Sequence, residues 1–238
     1  MKRADRPVGD PASPSLPAEP VCRWLGLVDY RTTWQDMMDF TERRSPERVD
    51  EIWFLEHPPV YTLGLNGHLE HLLDPGSIPV IPTDRGGQVT YHGPGQLVVY
   101  PLIALARRSV GPRQLVRLLE QATIDCLRDF GITGHGRAEA PGVYVESRKI
   151  ASIGLRIRRG ASYHGLALNV SNDLGPFLGI HPCGFRGLEM TRVADCGGPS
   201  DLEVVGHRLE AHLLSQLRSL PRGAASVQAD GGGASRKA

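Results

Sequence analysis

No apolar run in this chain of 238 residues approaches the roughly 18 residues that span a bilayer. The longest, Leu97 to Ala106, is interrupted by Pro101 and reads as a buried strand. The opening segment, MKRADRPVGDPASPSLPAEP, has no apolar h-region, so no secretory signal is expected and the chain is expected to stay in the cytoplasm. An excess of charge is also missing. The 27 basic residues against 26 acidic ones leave a net charge of +1 and a pI near 7.8, which gives nucleic acid no particular hold. There is no CxxC pair either. The four cysteines, Cys22, Cys126, Cys183 and Cys196, are too sparse for a disulfide framework, and in a reducing compartment such thiols are mostly free and buried. A lone cysteine in that setting can also be a nucleophile, so the question is which of the four is one.

What is present is ordinary globular composition, 40% hydrophobic and 22% charged, with 28 glycines and 19 prolines that point to a loop-rich fold. Residues 1–20 are proline-rich with almost no large apolar side chains, and read as a disordered arm. Residues 221–238 read as a flexible tail, leaving one domain over 21–220 without visible repeats. Strand-like segments are Arg23–Val28, Glu51–Leu55, Val60–Leu63, Val89–His92, Gln96–Leu105, Gly142–Glu146, Lys149–Ile157 and Ser162–Val170. One helix is expected over Trp34–Arg44. A second follows Pro112, its apolar stripe running Leu115, Leu118, Leu119, Ala122, Cys126 and Phe130 until Gly131 ends it. A third starts at Ser200, where Ser200-Asp201-Leu202-Glu203 fits a capping box. Many strands with few helices between them predict an α+β domain with a mixed, largely antiparallel sheet flanked by helices. Cys126, on a helical core stripe, is read as a packed small hydrophobe.

Four segments carry chemistry. In Arg85-Gly-Gly-Gln-Val-Thr-Tyr-His-Gly-Pro-Gly-Gln96, glycines separate two apolar strands; the segment is either an ordinary hairpin or a loop whose N–H groups grip a ligand. Its spacing matches no nucleotide-binding pattern. In Ser147–Arg158, strand parity places Lys149 with Ala151, Ile153, Leu155 and Ile157 on the apolar side, where desolvation disfavours the ammonium. The alternative is a strand-end lysine reaching to water. Parity also puts Ser152 and Gly154 opposite Lys149, so a bulge is required if all three line one pocket. In Ser162–Val170, Leu166, Leu168 and Val170 alternate with Gly165, Ala167 and Asn169, leaving one nearly bare face that suits a slot for an apolar chain or marks close packing. His164 is read as a hydrogen-bonded structural histidine. In Gly179-Ile-His-Pro-Cys-Gly184, Pro182 and Gly184 bracket Cys183 in a tight turn off any helical stripe, where a nearby cation would activate the thiol; His181 is an alternative base, restricted by Pro182. The Cys and His spacing fits no zinc pattern.

Together RGGQVTYHGPGQ, KIASIGLRI, YHGLALNV and the HPCG turn resemble the lipoyl(octanoyl) transferase family over roughly residues 22–219. The resemblance implies the fold shared with biotin and lipoate protein ligases, and transfer of an octanoyl group from acyl carrier protein to a lysine of a lipoyl domain, as found in 2-oxoacid dehydrogenase complexes and the glycine cleavage H protein. It calls for no cofactor and no metal. Position by position it makes Cys183 the acyl-thioester cysteine and Lys149 the lysine that favours its thiolate. Arg85, Gly86, Gly87, Gln88, Val89, Thr90, Tyr91 and His92 become the main substrate loop, and Ser152, Ile153 and Gly154 with Gly165, Leu166 and Ala167 two further substrate-contacting stretches. N–H donors for a tetrahedral intermediate are expected at Cys183-Gly184 and Gly86-Gly87. Two arginine clusters, Arg107, Arg108 and Arg113 and then Arg156, Arg158 and Arg159, are candidates for steering an acidic carrier. Two other readings remain: an ATP-dependent lipoate or biotin ligase, which needs no nucleophilic cysteine, and a non-catalytic module that holds acyl chains.

Overall fold

The structure, a computed structural model, describes residues 19–220; the arm expected over 1–20 (except Glu19 and Pro20) and the tail expected over 221–238 lie outside the described residues. A seven-stranded sheet forms the frame, in the order β1 (Val21–Leu27), β2 (Glu51–Glu56), β6 (Gln96–Leu102), β10 (Ala161–Asn169), β9 (Arg148–Arg158), β8 (Gly142–Val145) and β7 (His135–Gly136). Only the β1–β2 pairing in it is parallel. A second sheet of three strands has the order β4 (Val80–Pro82), β3 (Val60–Leu63), β5 (Val89–His92).

Period-two alternation in the central strands feeds two cores. Leu97 and Val99 of β6, with Ile52 and Phe54 of β2 and Leu166 and Leu168 of β10, face α2 (Pro112–Asp129) and α3 (Leu202–Arg218). Val98, Tyr100 and Leu102, with Trp53, Leu55 and Ala167, face Met37 and Phe40 of α1 (Tyr30–Glu42). Because helices cover both faces, all seven residues of β6 are buried. Leu115, Leu118, Leu119, Ala122 and Cys126 of α2 are buried as the spacing predicts, each large side chain contributing about 1.5–3 kcal/mol of burial free energy.

Helix α1 begins four residues earlier than its apolar pattern suggests, because the Asp29 carboxylate caps it by accepting from Thr32 N at 2.9 Å. Helix α3 is capped by Asp201, whose side chain accepts from Glu203 N and Val204 N; Ser200 is not the cap. The short strands β4 and β7 carry no sequence pattern of their own. Four of the six arginines in the expected steering clusters are ion-paired within the chain. Arg107 and Arg108 both bind the buried Asp50 carboxylate, at 3.3 and 3.2 Å. Arg158 and Arg159 share Glu42 at 2.5 and 3.2 Å.

Candidate active site

A cleft between the two sheets holds about 480 Å³ of space including its mouth, with walls from both. Val89, Thr90 and His92 come from β5; Val98 and Tyr100 from β6; Ser152, Ile153 and Gly154 from β9; Gly165, Leu166 and Ala167 from β10; Cys183 joins them from a one-turn segment, Pro182–Gly184, packed on β5. The Arg85–Gln88 loop completes the wall. Of the substrate-contacting residues expected from the sequence, only Tyr91 is absent from this lining. Its ring turns to the other side of β5 and packs on Tyr61 and Phe177.

Two departures from regular strand geometry assemble the site. The β8–β9 register shifts between the Val143–Ala151 and Tyr144–Lys149 pairs, so β9 carries an extra residue at Ile150. A bulge there breaks the parity that would separate Lys149 from Ser152 and Gly154. Lys149 is 0% exposed; its backbone is fixed by Lys149 N to Glu189 O at 2.8 Å and Thr191 N to Lys149 O at 2.9 Å. Its Nζ donates to Cys183 Sγ at 3.1 Å and to Pro141 O at 3.0 Å, 5.3 Å from the centre of the Tyr144 ring. The second departure is His164, left-handed at φ 55° in mid-strand, which swings its ring toward Tyr100, Tyr163 and Trp34.

Cys183 itself is left-handed, φ 56°, a conformation a non-glycine residue holds only when its surroundings impose it. Here the turn is imposed by His181 N to His71 O at 2.8 Å, Gly184 N to His181 O at 2.9 Å and Phe185 N to Pro182 O at 3.1 Å. These bonds occupy the Gly184 N–H, and Gly86 N donates to Leu155 O at 3.0 Å, so two of the expected oxyanion donors are already engaged. Gly87 N–H remains the candidate from the loop. The loop crosses β9 so closely that a Cβ on Gly154 would come 2.7 Å from Gly86 O, which explains the glycine.

Arg85 is buried, and its guanidinium binds only neutral acceptors: Thr62 O at 2.6 Å, Gln88 O at 2.6 Å, Gly86 O at 3.0 Å and Thr62 Oγ1 at 2.9 and 3.0 Å. It therefore fixes the loop from within while leaving a positive field beside the cleft. Burial lowers its affinity for the proton, and the field of Cys183 is among the influences that raise it. His164 Nε2 lies 3.0 Å from Asp84 Oδ1, and Asp84 also accepts from Trp34 Nε1 at 3.0 Å and from the Tyr163 hydroxyl. Burial opposes ionisation of Asp84, but these hydrogen bonds win and hold its pKa at about 2. His164 is thus the structural histidine its sequence suggests, and part of the cleft wall as well. Tyr30 and Tyr100 also line the cleft. Tyr100 pairs with Trp53 across β2–β6, a register unavailable without the sheet, and no sequence signal marks Tyr30 beyond its place after the Asp29 cap. Cys196 lies 3.5 Å from Thr191 Oγ1.

The arrangement places a thiol beside a buried amine whose other hydrogen-bond partner is the Pro141 carbonyl, at the edge of the cleft. Known proteins place it further. Residues 29–214 match the family described as the lipoyl protein ligase A/B catalytic domain. An octanoyltransferase of Laribacter hongkongensis is 60% identical over 195 residues, covering 82% of this chain and 94% of that protein. One from Alkalilimnicola ehrlichii is 54% identical over 204 residues, covering 86% and 95%. Among solved structures, lipoate-protein ligase A bound with ATP superposes with a TM-score of 0.72 at 16% identity, covering 84% of this chain and 86% of that one, a likeness of fold. The chain belongs to the lipoyl protein ligase A/B catalytic domain family, and within it to the lipoyl(octanoyl) transferases.

Proposed function

We propose that this protein is a cytoplasmic octanoyltransferase that takes the acyl group from an acyl carrier protein onto Cys183 and passes it to the lysine of a lipoyl domain. The observation that carries the reading is the 3.1 Å contact between the Lys149 amine and the Cys183 sulfur at the edge of the cleft. Lys149 is buried without a carboxylate among its partners, so a protonated amine there is balanced only by a Cys183 thiolate.

That balance drives both half-reactions. The Cys183 thiolate attacks the carbonyl carbon of the octanoyl thioester, and the tetrahedral oxyanion is met by the Gly87 N–H and the field of Arg85. As the new thioester forms, the donor thiolate leaves and takes the proton from Lys149. That transfer leaves the Lys149 amine without its proton. It is then a base for the second step. The acceptor lysine attacks as its free amine, the C–N bond forms, Lys149 takes the surplus proton, and Cys183 departs as thiolate. The ion pair is restored and no ATP is consumed. The eight-carbon chain lies along the cleft-facing side chains of Val98 and Ala167 and the bare backbone of Gly154 and Gly165, where it is shielded from water.

Incubation with octanoyl-loaded carrier protein, followed by intact-mass measurement, is expected to show one octanoyl adduct, on Cys183, without ATP or Mg²⁺. Cys183→Ala is expected to form no adduct and to lower transfer by about 10³-fold or more. Normal transfer by this variant, or an absolute requirement for ATP, sinks the reading.

A further inference from the structure

Lys149 has no carboxylate to hold it, yet its amine must stay on the Cys183 sulfur through two chemical steps. Its stem and head are confined instead by the turn Ala140–Gly142. Pro141 O accepts from Lys149 Nζ at 3.0 Å. Gly142 has φ 139°, where side chains are disfavoured, and a Cβ there would come 2.6 Å from Lys149 Cε and 3.2 Å from its Nζ. The amine thus rests against bare glycine backbone.

Two side chains outside the cleft fix that turn. Glu120 of α2 accepts a hydrogen bond from Gly142 N at 2.9 Å through Oε1. The Tyr144 hydroxyl donates to Ala140 O at 3.0 Å, while its ring lies beside Lys149 Nζ. Glu120 departs from the buried stripe of its helix, and its carboxylate reaches across to one backbone amide of the turn. A charged acceptor on a backbone N–H is the stronger kind of hydrogen bond.

We infer that Glu120, acting through Gly142 and the Pro141 carbonyl, is a positioning residue that keeps the Lys149 amine in register with Cys183. This rests on the Lys149–Cys183 reading above and extends it to a residue on α2 that touches neither substrate nor sulfur. Its role is geometric. Displacement of a reacting group by about 1 Å costs up to about 100-fold in rate, whereas loss of one partly exposed hydrogen bond leaves a folded protein.

The test measures the pH dependence of Cys183 alkylation by iodoacetamide, together with kcat and KM for the octanoyl carrier protein. The variants are Glu120→Ala, Glu120→Gln, Gly142→Ala and Lys149→Ala, with melting temperatures recorded alongside. Glu120→Ala is expected to lower kcat by about 10-fold or more, to slow alkylation near neutral pH, and to leave KM unchanged. Glu120→Gln keeps an acceptor oxygen for Gly142 N–H and is expected to recover most of the rate. Gly142→Ala is expected to act more strongly, and should it fail to fold the Glu120 pair still decides. Unchanged kcat and alkylation in Glu120→Ala overturn the proposal, as does an effect confined to melting temperature. Lys149→Ala separates the two readings. If it alkylates like the wild type, the ion pair itself is wrong; if it is slowed while Glu120→Ala is not, only the positioning role fails.

Discussion

Two faces of one sheet hold two cysteines of opposite character. On the α2–α3 face, Cys126 is 0% exposed among Leu118, Leu119, Ala122, Val205 and Leu209, and its thiol has only Val205 O at 3.6 Å. Burial, helped by the charge of Asp129, pushes its pKa to about 12, so it stays a thiol. On the cleft face, Cys183 sits partly exposed in a left-handed turn with an amine at 3.1 Å. On the reading proposed above, reactivity belongs to the partner and the backbone, not to the residue type: an aliphatic core keeps the sulfur of Cys126 inert, and a buried amine without a carboxylate makes that of Cys183 a nucleophile.

The largest expected effect comes from removing the amine. Lys149→Met keeps the apolar stem and deletes the charge, leaving Cys183 as inert as its counterpart on the other face. Alkylation of Cys183 at pH 7 is expected to fall by about 10- to 100-fold, and acyl transfer by more, since the second step loses its base as well. Rates equal to the wild type would erase the contrast between the two faces.

A second contrast lies in how each face responds to acid. Among the described residues the buried histidines are His57, His92 and His164, all on the cleft side of the sheet. His57 donates through Nδ1 to Val28 O at 2.7 Å, which leaves Nε2 to accept from the Tyr100 hydroxyl at 2.8 Å. Burial lowers its pKa to about 4. Burial lowers His92 well below the usual histidine value, with the fields of His57 and Arg85 adding, and it lowers His164 despite the Asp84 hydrogen bond. In the unfolded chain all three protonate near 6.5, so the unfolded state binds more protons as pH falls. For His57 the resulting stability is fully present above about pH 6.5 and is lost as pH falls to about 4, at about 1.4 kcal/mol per pH unit across the window, and His92 and His164 act in the same direction. Urea midpoints at pH 7 and pH 5 are expected to differ accordingly, and His57→Gln is expected to flatten the slope by about one proton. An unaltered slope in that variant would show that His57 is already protonated in the folded protein.

The same two faces differ in how far the sequence reveals them. The helical face is local: Leu115 through Cys126 recur at a single period, and Leu166, Leu168 and Val170 alternate cleanly, so packing follows from spacing. Boundaries of β3 and β5 were legible for the same reason. The cleft is assembled from exceptions to periodicity. A bulge at Ile150 and a left-handed His164 carry no local signature, so strand parity alone puts Lys149 and Ser152 on opposite sides. The arginine clusters look free in sequence because Asp50 lies 57 and 58 positions from Arg107 and Arg108. The motifs marked residues that line the cleft; their meeting depends on long-range register that only the folded sheet defines.

The smallest expected effect completes the comparison, because it asks whether the two faces are functionally separate. Cys126→Ser changes one atom in the aliphatic core. The hydroxyl needs a hydrogen bond that the thiol does not, and the surroundings offer Val205 O and the backbone of its own helix. Partial satisfaction predicts a cost of about 1–2 kcal/mol in unfolding free energy, read as a lowered melting temperature. The Cys126 thiol is engaged by Val205 O of α3, whereas the link from α2 to Lys149 runs through Glu120, six positions earlier on the helix. Transfer by the folded variant should therefore match the wild type within about twofold, well below the tenfold step of 1.4 kcal/mol in a barrier. A larger loss in kcat, with the protein shown folded at the assay temperature, would mean that packing behind the sheet sets the register of the bulge in front of it. The cleft would then be an extension of the helical core and not a separate device built on the same strands.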